Sequence, residues 1–407
     1  MRKKWNPRGS LVIGIVVVLL GIAVITRAVT FMKNIGVRST GTTQSNTPQT
    51  EFNIALLGFG GGNHEGAYLT DTIIVAHIDT AKNKVLMISI PRDLWVQIPT
   101  KSKTPYYQKI NAVYEMGLFP SDFPDLTPKY AKKDPNGLLL KEILKNITGL
   151  RIDNYFAADF SAFTKTIDLL GGIDIVVDTA FVDPVYPIDG KENDLCGKDE
   201  QFKKIEPYLT QPDQAAMDAL FKDNNELKEF FINITDAPEK AFPCRYETLE
   251  FAKGAVHLTG AEALKFVRSR HSLQDGSDFG RAARQQKVII AIKNKVLSIG
   301  FIPRILPLIK ELEGHIVTDL SYDEIGKSVT EVKDASSYKV NKLVLSDKNY
   351  LTNDFASTGQ FILRPKAGDQ VWTTIHREIN NTILDITPTP SVSPKISNGI
   401  SSQKLKK

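Results

Sequence analysis

NIALLGFGGGNHEGAYLTDTIIVAHIDTAKNKVLMISIPRD (residues 53–93) holds three aliphatic runs separated by short polar stretches. Asn53–Leu57 is stopped by Gly58, which suits a buried strand. Thr72–Ile78 and Lys84–Ile90 are β-branched and aliphatic, and the turn Asp79–Asn83 between them predicts a hairpin. Further along, helix and strand patterns alternate. Leu138–Ile147 predicts a helix, Tyr155–Phe160 a strand, and Ser161–Leu170 a helix closed by Gly171 and Gly172. Ile173–Val177 reads as a strand, Thr259–Val267 as a helix entered at Thr259, and Phe279–Leu297 as the clearest helix of the chain. Such alternation predicts an α/β sandwich.

The chain has 407 residues, 42% of them hydrophobic and 24% charged, enough to bury a sizeable core. Its formal charge of +5 is unevenly placed. Residues 1–50 carry seven basic residues and no acids, and residues 386–407 carry four and none. Removing both ends leaves a net −6 on residues 51–385. A folded part of that sign lacks the broad basic face that nucleic acid demands, so no nucleic-acid partner is expected.

Leu11–Met32 is apolar enough to span a bilayer if Arg27 snorkels to the interface. Arg2, Lys3, Lys4 and Arg8 precede it, which places residues 1–10 in the cytoplasm and the rest of the chain outside. Residues 33–50 read as a flexible linker and 386–407 as a disordered tail. Residues 51–385 form the expected folded part. Within it, 180–248 is rich in Asp, Glu, Lys and Pro and reads as an insertion, with helix around Pro212–Phe231. It holds both cysteines of the chain, Cys196 and Cys244. They are read either as a disulfide, suited to an extracytoplasmic setting, or as two free thiols.

Four stretches carry residues suited to phosphate chemistry. In DFGRAARQQKVIIAIKNKV (278–296), Asp278 sits where an N-cap belongs. Arg281, Gln285, Val288, Ile292 and Val296 share a helix face, with Arg284 beside them. Arginine at a helix N-terminus opposes the dipole, so its placement there points to an anion. In FVRSRH (266–271), Arg268 and Arg270 fall on one side if the backbone is extended, and could cluster with Arg281. In SIPRDLWVQIP (89–99), Pro91 ends ladder pairing and leaves Arg92 and Asp93 at a strand edge. In LTDT (69–72), Asp71 opens a strand as a candidate base or metal ligand, and Lys109 of KIN is a further polar contributor.

The order LLG, TDT, SIPRD, KIN, DF-x-x-F, DLLGGI-x-V, LTG-x-x-AL-x-F-V-R-x-R and GR-x-x-RQ, over roughly Phe52–Gly300, resembles the LytR–CpsA–Psr domain. A shorter trailing segment would complete that fold. The resemblance implies an α-β-α sandwich around a mixed sheet, with an apolar tunnel for a polyprenyl chain. It implies phosphate contacts from Arg92, Arg268, Arg270, Arg281 and Gln285, to which the reading of KIN adds Lys109, and magnesium held by Asp71. The implied reaction is transfer of a glycopolymer from a polyprenyl (pyro)phosphate to a hydroxyl of a cell-wall polymer, with Asp71, Arg92, Asp93 and Arg268 as catalytic residues. Asp71 and Asp93 are both candidates for the acceptor proton. The alternatives are hydrolysis of the pyrophosphate by the same site and binding of lipid-linked precursors without catalysis. Two positions depart from the family pattern: Phe59 stands where an aspartate is usual, and Leu69 where an arginine is. His64 and Glu65 are expected to substitute in part, Glu65 as an oxygen donor to magnesium.

Overall fold

The structure is a computed structural model. It describes residues 50–62, 66–134, 136–211, 213–274, 278–298, 312, 314–321 and 338–385. The expected spanning helix 11–32, nearly all of the linker, the tail 386–407, and His64 and Glu65 lie outside them. Among the described residues no helix is long and apolar enough to cross a membrane.

The chain opens with β1 (Glu51–Phe59), β2 (Thr70–Asp79) and β3 (Lys84–Ser89), paired antiparallel in sequence order. β4 (Trp95–Ile98) and β5 (Tyr106–Lys109) form a small antiparallel ribbon. Helices α1 (Val113–Leu118) and α2 (Leu138–Thr148) follow, then β6 (Asn154–Asp159), which runs parallel to β1, and α3 (Phe160–Leu169). β7 (Ile173–Val177) and β8 (Phe181–Pro187) lead into helices α4 (Asp199–Thr210), α5 (Gln214–Phe221), α6 (Asn225–Asp236) and α7 (Pro238–Ala241). β9 (Tyr246–Phe251) returns along β8 and β10 (Gly254–Leu258) along β7. Then come α8 (Gly260–Arg268) and α9 (Asp278–Ser298). β11 (Ile316–Thr318), β12 (Lys339–Val344), the hairpin β13 (Leu351–Phe355) with β14 (Phe361–Pro365), and α10 (Thr373–Ile383) complete the described chain. The central sheet has the order β11-β6-β1-β2-β3-β12 and is mixed, because β12 joins β3 in parallel.

Alternation along β1 explains the layers. Phe52, Ile54 and Leu56 face one side, where they pack with Ala263 and Phe266 of α8 and Val288 and Ile292 of α9. Ala55, Leu57 and Phe59 face the other, against Ile143 and Ile147 of α2 and Ile375 and Ile379 of α10. A sheet covered on both faces needs apolar residues at nearly every position, which is why these strands read as continuous runs. The result is the three-layer α-β-α sandwich.

The region 180–248 does leave the main core. It builds its own small core around Ile205, Phe221, Leu227, Phe230 and Phe242, and Cys196 and Cys244 are joined in a disulfide. It holds more helix than expected, because α4 lies upstream of the stretch read as helical. At its root, β8 and β9 bring it beside α8 through the stacked rings of Phe181 and Phe251, with Phe266 edge-on to Phe251.

Candidate functional site

The carboxyl ends of the parallel neighbours β1 and β6 lie at one edge of the sheet, where Phe59 is opposite Asp159. The start of β2 reaches the same edge, since Thr70 pairs with Phe59. In open α/β sheets such an edge is where ligands collect. Four charged side chains meet beside it. Arg92, in the turn after β3, donates from Nη1 to Asp71 Oδ1 at 2.5 Å and places Nε 3.5 Å from Asp93 Oδ2. Lys109, at the end of β5, holds Asp93 Oδ1 at 2.5 Å. Asp93 is buried, and the Asp71 side chain is 34% exposed. The strand-edge reading of Arg92 and Asp93 holds, with the reason visible. Pro91 ends β3, and the backbone N–H of Leu94 closes a turn onto the Pro91 carbonyl at 3.1 Å.

Beside Asp71, the Thr72 side of β2 lines an apolar cavity of about 100 Å³. Leu56 and Phe156 of the sheet, Phe160 and Phe163 of α3, Leu264 and Val267 of α8, and Ile289 and Ile292 of α9 form its walls. Its polar lining comes from Thr72, Asp159 and Gln285. Gln285 is therefore where the helix-face reading put it, one turn after Arg281. Arg281 itself is 5% exposed. Arg268 ends α8 at the rim. Its guanidinium lies 4.8 Å from the centre of the Phe160 ring and 5.8 Å from that of Tyr186. It also contacts Asp189, from just beyond β8, at 3.1 Å. Burial pushes the Tyr186 phenol up to about 12, so the ring meets Arg268 as a neutral face.

Two expectations are corrected here. Arg268 is the last helical residue of α8, so Arg268 and Arg270 do not lie on one extended strand. Helix α9 is described from Asp278 onward, and residues 275–277 before it lie outside the described residues. Arg284 turns away from solvent. It donates Nε to the Phe266 carbonyl at 2.8 Å, bonds the Ser269 carbonyl through Nη2, and lies over the Phe181 ring at 4.9 Å. It fastens the free carbonyls at the end of α8 and is not available to a phosphate.

The sequence reading missed two carboxylates. Asp183 of β8 is fully buried. Its Oδ2 accepts from Ser269 Oγ at 2.7 Å, Arg270 N at 3.1 Å and His271 N at 3.2 Å, which fixes the backbone that carries Arg268 and Arg270. Burial pushes its pKa up, but these bonds and one from Val185 overrule it, and the carboxyl is held below its ordinary range. Asp159 caps α3 through Ala162 N at 2.7 Å and pairs with His315 Nδ1 at 2.6 Å. The chain at Gly61 crosses so close to it that a Cβ there would stand 2.8 Å from Asp159 Cβ. Asp159 lay within the DF-x-x-F stretch, where a β-strand running into a helix is itself an N-cap signal. Asp183 gave no sequence signal.

The LytR_cpsA_psr family model matches residues 22–376, most of the chain. The chain belongs to the LytR_cpsA_psr family. Among similar proteins is the polyisoprenyl-teichoic acid–peptidoglycan teichoic acid transferase TagV of Bacillus subtilis strain 168, 26% identical over 258 residues. That match takes in 63% of this chain and 46% of TagV, so the chain spans about half the length of that relative. The TagU transferase of the same description from Enterococcus faecalis is 20% identical over 336 residues, 82% of this chain and 80% of TagU. Protein gbs0355 of Streptococcus agalactiae superposes with a TM-score of 0.51 at 16% identity, over 81% of this chain and 88% of that one, a likeness of fold.

Within this LytR_cpsA_psr fold, the departure at residue 59 has a clear structural role. The Phe59 ring lies in the core on the α1 side, 5.8 Å from Tyr68 and 5.7 Å from Tyr114. It closes an aromatic cluster on the face it shares with Ala55 and Leu57, and the register shift beside it leaves Asp71 as the extra residue of β2. Leu69 packs over Gly66, 3.2 Å from where a Cβ would stand. Among the described residues, one group has the spacing of a metal-ligand set, Asp194 with Cys196 and Cys244, and its sulfurs are bonded to each other.

Proposed function

We propose that this protein transfers a glycopolymer from a polyprenyl (pyro)phosphate carrier to a hydroxyl of a cell-wall polymer. One observation carries the reading: the Asp71–Arg92–Asp93–Lys109 network and Arg268 flank an apolar cavity whose lining ends in Thr72 and Gln285. An apolar slot ending at converging cations suits an amphiphile with an anionic head. The names of the TagV and TagU relatives, which pair a polyisoprenyl-linked teichoic acid with peptidoglycan, agree with that chemistry. The apolar walls from α3, α8, α9 and the sheet would take the start of the polyprenyl chain.

Phosphoryl transfer needs positioning and charge neutralisation more than covalent help. In this mechanism Arg92, Lys109, Arg268, Arg270, Arg281 and Gln285 bind the phosphates. The acceptor oxygen attacks the phosphorus next to the glycan. The bond from that phosphorus to the bridging oxygen breaks, and polyprenyl phosphate leaves. The acceptor proton goes to Asp71 or Asp93. Asp71 and Asp93 offset Arg92 and Lys109, so the four together are neutral and leave the pyrophosphate charge to Arg268, Arg270, Arg281 and a metal ion. That suits magnesium, which commonly binds through one or two carboxylates plus substrate phosphates. Asp71, the more exposed carboxylate, would hold it, and when bound it would neutralise charge on the phosphates. Leu11–Met32 would anchor the domain outside the membrane, next to a lipid substrate.

The test follows release of polyprenyl phosphate from a labelled lipid-linked sugar, with and without magnesium and peptidoglycan, beside Arg268→Ala. Turnover that needs the acceptor and falls at least 100-fold in the variant supports transfer, about 2.7 kcal/mol of transition-state stabilisation. Turnover without acceptor makes the protein a hydrolase, and tight binding with no turnover makes it a carrier of lipid-linked precursors. The pH–rate profiles of Asp71→Asn and Asp93→Asn identify the proton acceptor as the variant that loses its rising limb.

A further inference from the structure

The ribbon β4–β5 belongs to the layer opposite the cavity. Val96 and Ile98 are buried with the α2 side of the core. Alternation then turns Trp95 and Gln97 outward. Their register partners on β5 are Lys109 and Tyr107 respectively, so these four side chains share the outer face. Trp95 and Tyr107 are half-buried, and their rings are nearly parallel, at 12° with centroids 6.3 Å apart. Lys109 links the row to Asp93 and so to the charged network. At the other end Gln97 borders a separate pocket of about 620 Å³, which is also lined by Glu142, Asn146, Gln370, Trp372 and His376. The ribbon is held rigidly: Gln370 accepts from Gln97 N at 3.1 Å and donates to the Trp95 carbonyl at 3.0 Å, capping the free edge of β4.

We propose that this face and the pocket beyond it form the binding track for the acceptor polysaccharide. The inference rests on the transferase reading given above. Aromatic rings with an apolar face and a polar rim, followed by amides and a carboxylate, match the alternating apolar and hydroxyl surfaces of a pyranose chain. A pocket of this size takes a ligand of a few rings. Position selects the acceptor over the donor glycan. The leaving lipid phosphate belongs to the cavity side of the sheet, and in-line displacement brings the nucleophile from the opposite side. The ribbon lies on that opposite side and ends at Lys109 and Asp93.

The experiment uses the full chain in detergent, with a soluble peptidoglycan glycan fragment as acceptor and a labelled lipid-linked donor. KM for each is measured separately for Trp95→Ala, Gln97→Ala and Tyr107→Ala. Trp95→Ala is expected to raise the acceptor KM at least tenfold, and Gln97→Ala about threefold, with the donor KM unchanged. A rise in donor KM instead would overturn the assignment, as would no change in either constant. Gln97 is exposed and its replacement leaves the ribbon's packing intact, so a folding defect in Trp95→Ala does not decide the outcome. Saturation-transfer NMR of the glycan fragment with the wild-type protein and no donor separates the two readings. Contacts that vanish in Trp95→Ala while transfer is absent would sink the transferase reading and leave the track standing. Transfer without such contacts would sink the track alone.

Discussion

Replacing Asp183 with alanine tests how the site's backbone is held. Asp183 Oδ2 receives three donors, from Ser269 Oγ and the N–H groups of Arg270 and His271, and Oδ1 receives Val185 N at 3.2 Å. Hydrogen bonds to a charged acceptor contribute about 1.5–3 kcal/mol each and do not add fully. Breaking one side of a buried charged network costs about 3–5 kcal/mol, so about 4 kcal/mol is expected here. At roughly 2 °C per kcal/mol for a large domain, Tm should fall by about 8 °C. The pH dependence has a defined sign. The folded carboxyl titrates below its ordinary value. Its stabilisation is therefore complete above the unfolded pKa of about 3.9 and is lost as pH falls through the lower folded value. Thermal melts should show the full gap between wild type and Asp183→Ala at pH 7, and the gap should close below about pH 4. Phosphate affinity, measured with the lipid-linked donor, should fall too, because Arg268 and Arg270 lose their fixed backbone. A variant that melts within about 2 °C of wild type at pH 7, or a gap that widens in acid, would refute the reasoning.

Gly260→Ala should be destabilising by about 1–3 kcal/mol by thermal melting, since its Cβ would stand 2.0 Å from the Thr164 carbonyl oxygen and drive α8 from α3. Reducing the Cys196–Cys244 bridge should release a loop of separation 48, worth about 4 kcal/mol in the chain-entropy model. Limited proteolysis should then cut within 190–245 while the central sheet stays intact. Arg92→Lys keeps the charge but loses the fork that spans Asp71 and Asp93. Its kcat should drop at least tenfold in the lipid-phosphate release assay, with far-UV circular dichroism unchanged.

The layers were readable in the sequence because sheet and helices repeat at different periods. β1 to β3 stand out as runs that are apolar on both faces, and Thr259 and Glu262 mark the start of α8 as a reciprocal cap. The ribbon β4–β5 left little trace. Its strands have four residues each, and the connection between them, 99–105, holds two prolines and no tight-turn signal. β12 (KVNKLV) has no strict alternation and hides on an edge. Helix α10 was legible in principle: Ile375, Ile379 and Ile383 recur every four residues. Site residues divide the same way. Arg92, Asp93 and Gln285 were found because a proline or a helix face fixes where they point. Arg284 was misread because nothing local says that a neighbouring helix end will claim it. Asp183 accepts from a hydroxyl and two backbone N–H groups 86 to 88 residues away, and no local pattern can announce that.

The sheet closes late in the chain. Among the described residues its outer strands are β11 and β12, and β12 sets Lys339 opposite Lys84. During synthesis β3 therefore emerges with an open hydrogen-bonding edge and waits for a partner from the far end of the polypeptide. Contacts between such distant segments slow folding, and an unfilled strand edge is a template for pairing with another chain. A chain ending before residue 339 would keep all the phosphate-site residues discussed above and still lack the strand that covers β3.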